Sequence, residues 1–359
     1  MKRQRLLQAC LLAIMLGAST SNSAMAASLS WTDLSAQIPT TTLDEMADYP
    51  LLSFASSRGT EWLVGNPNQL FQVTSQQKIF DLTPDLKKFG LQKIRQVASD
   101  GQGWIVVGDS SPWYSQPDLA FLYDGMYWKN ASGVMASLPP QEWVGQIIGK
   151  RGLWIIPTSR SLFVWQSSLK TIANIPLPKN LMDNGFDKID FYALKYGWLM
   201  AVEIGQDKHH YLFDGQNFQD VSPRIGQTNK TTAIGSNGAA ALIVTAQTDT
   251  KIPKVTATYF DGRSSYKLDA HFRACVDQKN KAIKFFPESD IVWDGKNWLM
   301  FDYRNHLATF SGRSAVSTLP DTRDIFVSSA YGTSGTSLHA GYTKNNRDEL
   351  VPRLVMTRE

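Results

Sequence analysis

The chain is poor in residues that cross-link, ligate or carry nucleophilic chemistry. Its 359 residues include 2 cysteines, Cys10 and Cys275, and 5 histidines, His209, His210, His271, His306 and His339. Two cysteines so far apart exclude a disulfide-stapled miniprotein. No His-Glu-x-x-His and no Cys/His spacing of a zinc site occurs, and His209 and His210, adjacent on a strand, point to opposite faces. There is no Gly-x-Ser-x-Gly elbow, no phosphate loop and no dinucleotide fingerprint. The reading is therefore of no assembled catalytic residues, no metal and no cofactor. The chain also lacks a membrane-length apolar run, since Leu6 to Ala18 falls short of the ~20 residues needed to span a bilayer. With 43% hydrophobic, 19% charged and 11% aromatic residues, neither a disordered polymer nor a multispan membrane protein fits.

What stands at the N-terminus is an export address. Lys2, Arg3 and Arg5 precede the apolar stretch, and Ala24-Met25-Ala26 offers a small-x-small cleavage site. Residues 1–26 read as a signal peptide and 27–359 as the mature chain, periplasmic or extracellular, with no stable membrane span after cleavage. Leu7-Gln8-Ala9-Cys10 approaches a lipobox, but Gln8 fits it poorly. The mature chain keeps one thiol, Cys275, which reads as a small buried hydrophobe. The formal charge of +4 changes meaning with the leader: three of 36 basic residues and none of the 32 acidic ones precede Ala27, leaving 33 minus 32, or +1. No excess of Lys and Arg remains to neutralise phosphates, so a nucleic-acid partner is not expected.

Beyond residue 45 the chain is periodic. Trp62, Trp104, Trp154, Trp198 and Trp298 each sit in a short apolar run, such as Gly103-Trp104-Ile105-Val106-Val107-Gly108. The first four are spaced by 42, 50 and 44 residues, and the gap of 100 to Trp298 holds a degenerate copy, Ala240-Ala241-Leu242-Ile243-Val244. A last copy is Ser337-Leu338-His339-Ala340-Gly341. Copies are followed by a run ending in a turn, Asp-Gly in Tyr123-Asp124-Gly125, Phe213-Asp214-Gly215 and Phe260-Asp261-Gly262 and Ser-Gly in Phe310-Ser311-Gly312. Asp-Gly between β-rich runs is a strong hairpin signal because both residues tolerate positive φ. One more run follows each turn and another precedes each Trp, so every copy spells four short antiparallel strands, a propeller blade.

Counting copies predicts an all-β, seven-bladed β-propeller of four-stranded antiparallel blades. The last copy stops after its third strand, and Trp31-Thr32-Asp33-Leu34-Ser35 matches the outer strands at Trp128-Lys129-Asn130-Ala131-Ser132 and Phe80-Asp81-Leu82-Thr83. An N-terminal strand is therefore expected to complete the last blade and close the ring. On these repeats the chain resembles secreted bacterial β-propellers with Tyr/Phe-Asp-Gly-x-x-Trp/Phe motifs. The resemblance implies a fold and transfers no functional residue. The glycine doublets of kelch repeats and the Gly-His and Trp-Asp pairs of tryptophan-aspartate repeats are absent.

Function is sought in what does not repeat. Asp124, Asp214, Asp261 and Asp294 recur at equivalent turns and read as turn formers, and the repeated tryptophans read as fillers between blades. The connections between second and third strands vary, and they share one face with the blade-to-blade connections, the usual place for binding. One carries Trp113 and Tyr114 between prolines, one carries Asp302, Tyr303, Arg304 and His306, and one carries Lys344-Asn345-Asn346-Arg347-Asp348. The first two groups are the candidate ligand-binding residues. They imply an exported non-enzymatic propeller that binds a protein, peptide or glycan through its variable-loop face. The alternative is an envelope polysaccharide hydrolase or lyase with a site at the central channel. It is weakened by innermost strands such as Leu51-Leu52-Ser53-Phe54-Ala55 and Ile325-Phe326-Val327-Ser328-Ser329, which are apolar or small.

Overall fold

The computed structural model describes residues 30–38, 54–111, 117–140, 142–169, 171–205, 207–225, 232–247, 254–270, 272, 276–277, 282–283, 291–293, 297–301, 307–310, 325–331, 336–344 and 350–358. Successive strands pair antiparallel with their chain neighbours, from the innermost strand outward. The first blade comprises Phe54–Arg58, Glu61–Asn66, Gln69–Thr74 and Ile79–Asp81. The second comprises Lys93–Ser99, Trp104–Asp109, Leu119–Tyr123 and Trp128–Asn130. The third runs from Ile148–Lys150 to an outer strand at Thr171–Pro176, and the fourth from Lys188–Leu194 to Phe218–Asp220. The fifth runs from Thr232–Ser236 to Ser265–Lys267. The closing blade joins Ile325–Tyr331, Thr336–Lys344 and Leu350–Arg358 to the N-terminal strand Ser30–Asp33.

The fold is thus an all-β propeller, but the expected seven four-stranded blades are corrected to six. Between the fifth and closing blades stands a three-stranded sheet, Val292–Trp293, Trp298–Phe301 and Leu307–Phe310, with no fourth strand among the described residues. The Trp-centred copies mark second strands and carry no information on whether a sheet continues to an outer strand, which is why counting them overstates the blades. The long connection from Ala270 to Pro287 includes a hairpin of Val276–Asp277 with Ala282–Ile283.

Each second strand is covered on both sides by neighbouring blades, so its residues are buried on both faces. Trp104–Asp109 is buried throughout, which explains runs that are continuously apolar rather than alternating. The Trp at the start of such a strand fills the junction with the preceding blade. Trp62, Trp104 and Trp154 are at most 1% exposed, and each belongs to an apolar cluster spanning two blades. Arg58 caps the Trp104 ring at 5.0 Å and Lys150 the Trp198 ring at 5.7 Å, each cation reaching across from the previous blade. The closing blade replaces Trp by Ser337. There the Ser337 hydroxyl lies 2.6 Å from Thr357 Oγ1 and 3.0 Å from His339 Nε2, all three residues fully buried.

Asp-Gly turns lock one face of the ring. Asp124 Oδ1 accepts the N–H groups of Met126 and Tyr127 at 2.9 and 2.8 Å, and Asp214 and Asp261 repeat the arrangement, with Gly125, Gly215 and Gly262 at φ of +100°, +109° and +96°. The backbone N–H groups hold the Asp124 and Asp214 carboxyls below the usual carboxylate range. Asp294, read with them as an equivalent turn, falls instead between the first and second strands of the three-stranded sheet and lies outside the described residues.

The outermost strands end in a second repeated device. In the first blade Asp81 Oδ1 accepts the N–H of Thr83, Thr83 Oγ1 accepts the N–H of Leu70, and Leu82 N–H donates to the Leu70 carbonyl. Asn130-Ala131-Ser132, Asp220-Val221-Ser222 and Asp33-Leu34-Ser35 make the same bonds to Ala120, His210 and Leu354. One helical turn follows, placing a second apolar side chain four residues on. The buried pairs Leu34/Ile38, Leu82/Leu86 and Val221/Ile225 plug the junctions that follow the closing, first and fourth blades.

The N-terminal strand closes the ring through this device. Ser30 to Asp33 pair in register with Arg358 to Val355, and Leu34 and Ile38 pack with Trp62, Phe71, Leu338 and Met356 at the junction of closing and first blades. Deleting residues 27–40 removes a ladder and two core side chains worth roughly 1.5–3 kcal/mol each. The expected outcome in calorimetry is a melting transition lowered by more than 10 °C or lost, and an unchanged transition would remove this role.

Burial also lowers the pKa of His210 and His339 to about 3, with Lys208 adding to the effect at His210. The unfolded chain binds protons at these positions below about pH 6.5, whereas the folded chain does not until near pH 3. Their stabilisation is therefore complete above about pH 6.5 and is lost as pH falls toward 3, by about 1.4 kcal/mol per unit for each histidine. Urea midpoints from pH 8 to 4 should be level at first and then decline, with a shallower decline in His339→Gln.

Candidate binding site

The inner strands run in one direction around the ring, so connections between second and third strands and between blades open on the same face, here the loop face. The Asp-Gly turns lie on the opposite turn face. Trp113 and Tyr114 lie outside the described residues, as do Asp302, Tyr303, Arg304 and His306. The supports of both loops are described. Ser110 donates its N–H to Asp118 Oδ1 at 2.7 Å and its hydroxyl to Asp118 Oδ2, pinning the base of the Trp113 loop. Phe301 pairs with Leu307, so the other loop spans five residues between partners in a ladder.

The channel mouth on this face carries charge that reading only the apolar inner strands overlooked. Lys93 and Arg95 begin the inner strand of the second blade, and a register shift between Ile94 and Gln96 makes Arg95 the extra, bulged residue. Arg95 Nε donates to Asp109 Oδ2 at 2.6 Å, and Asp109 is fully buried. Burial raises the Asp109 pKa despite Arg95 pulling against it. In the fourth blade Lys188 pairs with Asp190 at 2.8 Å, and Lys208 with Glu203 at 2.9 Å. Lys208 also donates to the Thr232 carbonyl at 3.2 Å, tying the fourth blade to the fifth. These carboxylates each face a cation rather than one another. Among the described residues no group of three or more His, Cys, Asp and Glu is placed to hold a metal ion. No helix there is long and apolar enough to cross a membrane.

A second feature, unforeseen in the sequence, is a cavity of about 460 Å³ in the outer cleft between the third and fourth blades. It exists because the repeated device is broken there. The segment from Leu82 to Ile94 aligns without gaps with that from Leu177 to Ile189: Leu82 with Leu177, Leu86 with Leu181, and Gly90 with Gly185, both glycines at positive φ. Where the first has Asp81-Leu82-Thr83, the second has Pro176-Leu177-Pro178, so the side-chain bonds that end the outer strands of the first, second, fourth and closing blades have no donors or acceptors. The third blade's outer strand accordingly runs for six residues against three in the first, second and fourth.

The two clefts are built alike and filled differently. In the cleft between the first and second blades, Phe89 stacks on Phe121 at 5.1 Å and meets Trp128 edge-on at 6.1 Å, while Trp128 stacks on Tyr123 at 4.3 Å. In the cleft between the third and fourth blades, Tyr211, Phe213 and Phe218 occupy the positions of Phe121, Tyr123 and Trp128, and Phe218 stacks on Phe213 at 4.7 Å. The position of Phe89 is taken by Asn184 and that of Phe80 by Ile175. Asn180 Nδ2 donates to the Tyr211 hydroxyl at 2.6 Å, and burial raises the Tyr211 pKa. Ile175, Pro176, Pro178, Tyr211 and Phe218 give the cavity apolar walls, and Asn180, Gln216, Asn217 and Asp220 its polar rim.

No family model matches the chain, and no curated protein sequence matches it. Solved structures do match its fold. A structure of YCF48 bound to D1 peptide superposes with a TM-score of 0.53 at 11% identity, over 92% of this chain and 97% of that one. The Cps50 (Swd1) β-propeller domain of Myceliophteria thermophila gives 0.52 at 10% identity, over 86% and 96%. The RRP9 WD40 repeats give 0.50 at 9%, over 86% and 94%. At these identities the likeness establishes the propeller fold.

Replacing Arg95 by Ala leaves the Asp109 carboxylate buried beside an empty place. The expected cost is about 3 kcal/mol, read from urea unfolding, with much of it recovered in the Arg95→Ala/Asp109→Asn double variant. A cost no greater than that of an exposed ion pair, under ~1 kcal/mol, would show that Arg95 does not hold Asp109.

Proposed function

We propose that this chain is an exported, non-enzymatic β-propeller that binds a protein or peptide partner through its loop face. The observation that carries this reading is the asymmetry of the ring. The turn face is closed by short turns, with the same Asp-Gly geometry at the second, fourth and fifth blades and compact turns after Thr74 and Gln166 at the first and third, whereas the loop face presents connections of unequal length and composition on that rigid frame. Trp113 and Tyr114 bring large amphipathic side chains to one such connection, and Asp302, Tyr303, Arg304 and His306 bring charged and aromatic ones to another. A peptide occupant accords with YCF48, a propeller of the same fold solved with a peptide bound. The leader, residues 1–26, delivers the mature chain, 27–359, to the periplasm or beyond.

The enzyme reading draws on Asp109, Asp190 and Glu203 at the channel mouth. Each is already engaged within 2.9 Å by a basic side chain of its own blade, an arrangement suited to fixing the strand ends of that blade rather than to acid–base chemistry.

The test begins with the full chain expressed with its leader and recovered from the envelope fraction, where N-terminal sequencing is expected to start at Ala27. Chemical cross-linking then compares this form with Trp113→Ala/Tyr114→Ala. Partner adducts should drop at least fivefold in the variant at unchanged melting temperature. Retention of the leader in the cytoplasm would remove the export reading, and equal cross-linking would remove the loop face as the binding surface. Binding to a glycan array in place of protein would change the partner class.

A further inference from the structure

We propose that the outer cleft between the third and fourth blades is a separate peptide site, which takes an aromatic side chain followed by a basic residue from an extended segment of a protein partner. This inference rests on the binding reading above but on different residues.

The occupant's chemistry is read from the chain itself. The first cleft shows what this framework accepts: a phenyl ring from the preceding connection, stacked on the third strand and edge-on to the outermost one. The second cleft repeats the framework with Tyr211 and Phe218 in place, while its connecting segment carries Asn184 where the first carries Phe89. The cavity of about 460 Å³ exceeds one phenyl ring and leaves room for neighbouring backbone.

The rim sets the rest. Asn180 fixes the Tyr211 oxygen by donating to it, which turns the hydroxyl hydrogen outward as a donor for a peptide carbonyl. The lining runs from Gln216 past Phe218 to Asp220, and the strand from Phe218 to Asp220 alone spans about 10 Å, or three extended residues. At the end of that run stands Asp220, whose Oδ1 accepts the Ser222 N–H at 2.8 Å, and no Lys or Arg is among the residues lining the cavity. The carboxylate thus complements a lysine or arginine beside the aromatic residue.

The probes are the synthetic peptides acetyl-Ala-Phe-Lys-Ala-amide and acetyl-Ala-Phe-Glu-Ala-amide, observed by saturation-transfer NMR against the full mature chain. Transfer to the phenyl protons of the lysine peptide is expected, and at least threefold less to the glutamate peptide. Asn184→Phe introduces the ring that the first cleft already contains, and it should cut the transfer at least fivefold while leaving the melting temperature unchanged or higher. Phe218→Ala removes a wall and should have the same effect on transfer. If the lysine peptide binds but neither substitution changes the transfer, the cleft is overturned while peptide binding by the propeller stands. If it shows no transfer, the cleft is likewise overturned. The loop-face reading is then decided by the Trp113→Ala/Tyr114→Ala cross-linking, which involves no cleft residue.

Discussion

The pairing of Ser30–Asp33 with Leu350–Arg358 is the constraint on which the other packing depends. A blade's second strand is stable as a wholly apolar run only because a blade stands on either side of it. In an open ring, the two terminal sheets would each present such a run to water. Closure by a strand from the far end of the chain removes both exposed faces at once, and Leu34 and Ile38 then fill the last junction as Leu82 and Leu86 fill another. The closing contact also has the largest sequence separation in the fold. It follows that the entropy of bringing the ends together opposes it until the remaining blades are in place.

Repetition in this molecule is a repetition of hydrogen-bonded devices more than of residues. The Asp or Asn that ends an outer strand and the Ser or Thr two residues later serve the same backbone groups in four blades, although the apolar residue between them varies from Ala to Leu. Asp-Gly turns do likewise on the opposite face. Against so regular a frame, a departure stands out as local freedom. Pro176-Leu177-Pro178 lengthens one outer strand beside an open outer cleft, while Leu177 and Leu181 still fill the junction beneath it. Ser337, in place of Trp, creates a buried polar cluster with His339 and Thr357.

Much of the architecture was legible because the strongest sequence signals coincide with the strongest physical constraints. The Trp runs marked doubly covered strands, the Asp-Gly pairs marked hairpins, and the likeness of residues 31–35 to internal outer strands pointed to their edge position. The number of four-stranded blades was not legible, because outer strands of three residues with exposed side chains leave little pattern. The channel-mouth charges escaped notice because two apolar inner strands stood for all, while Lys93, Arg95, Lys188 and Asp190 begin two others. The cleft was visible in principle: aligning the connections on Leu82 and Leu177 exposes both the exchange of Asp-x-Thr for Pro-x-Pro and that of Phe89 for Asn184. The loop residues singled out for binding stand outside the described residues, and their role rests on their position in the chain.

The register of the closing ladder sets the direction in which the molecule presents itself. Ser30 lies opposite Arg358, so both ends of the described chain leave the ring at the same rim, on the side of the Asp-Gly turns. Whatever is tethered through Ser30 or Arg358 therefore meets the ring on that side, and the unequal loops with the strand starts that carry Lys93 and Arg95 are turned the other way, free to face a partner.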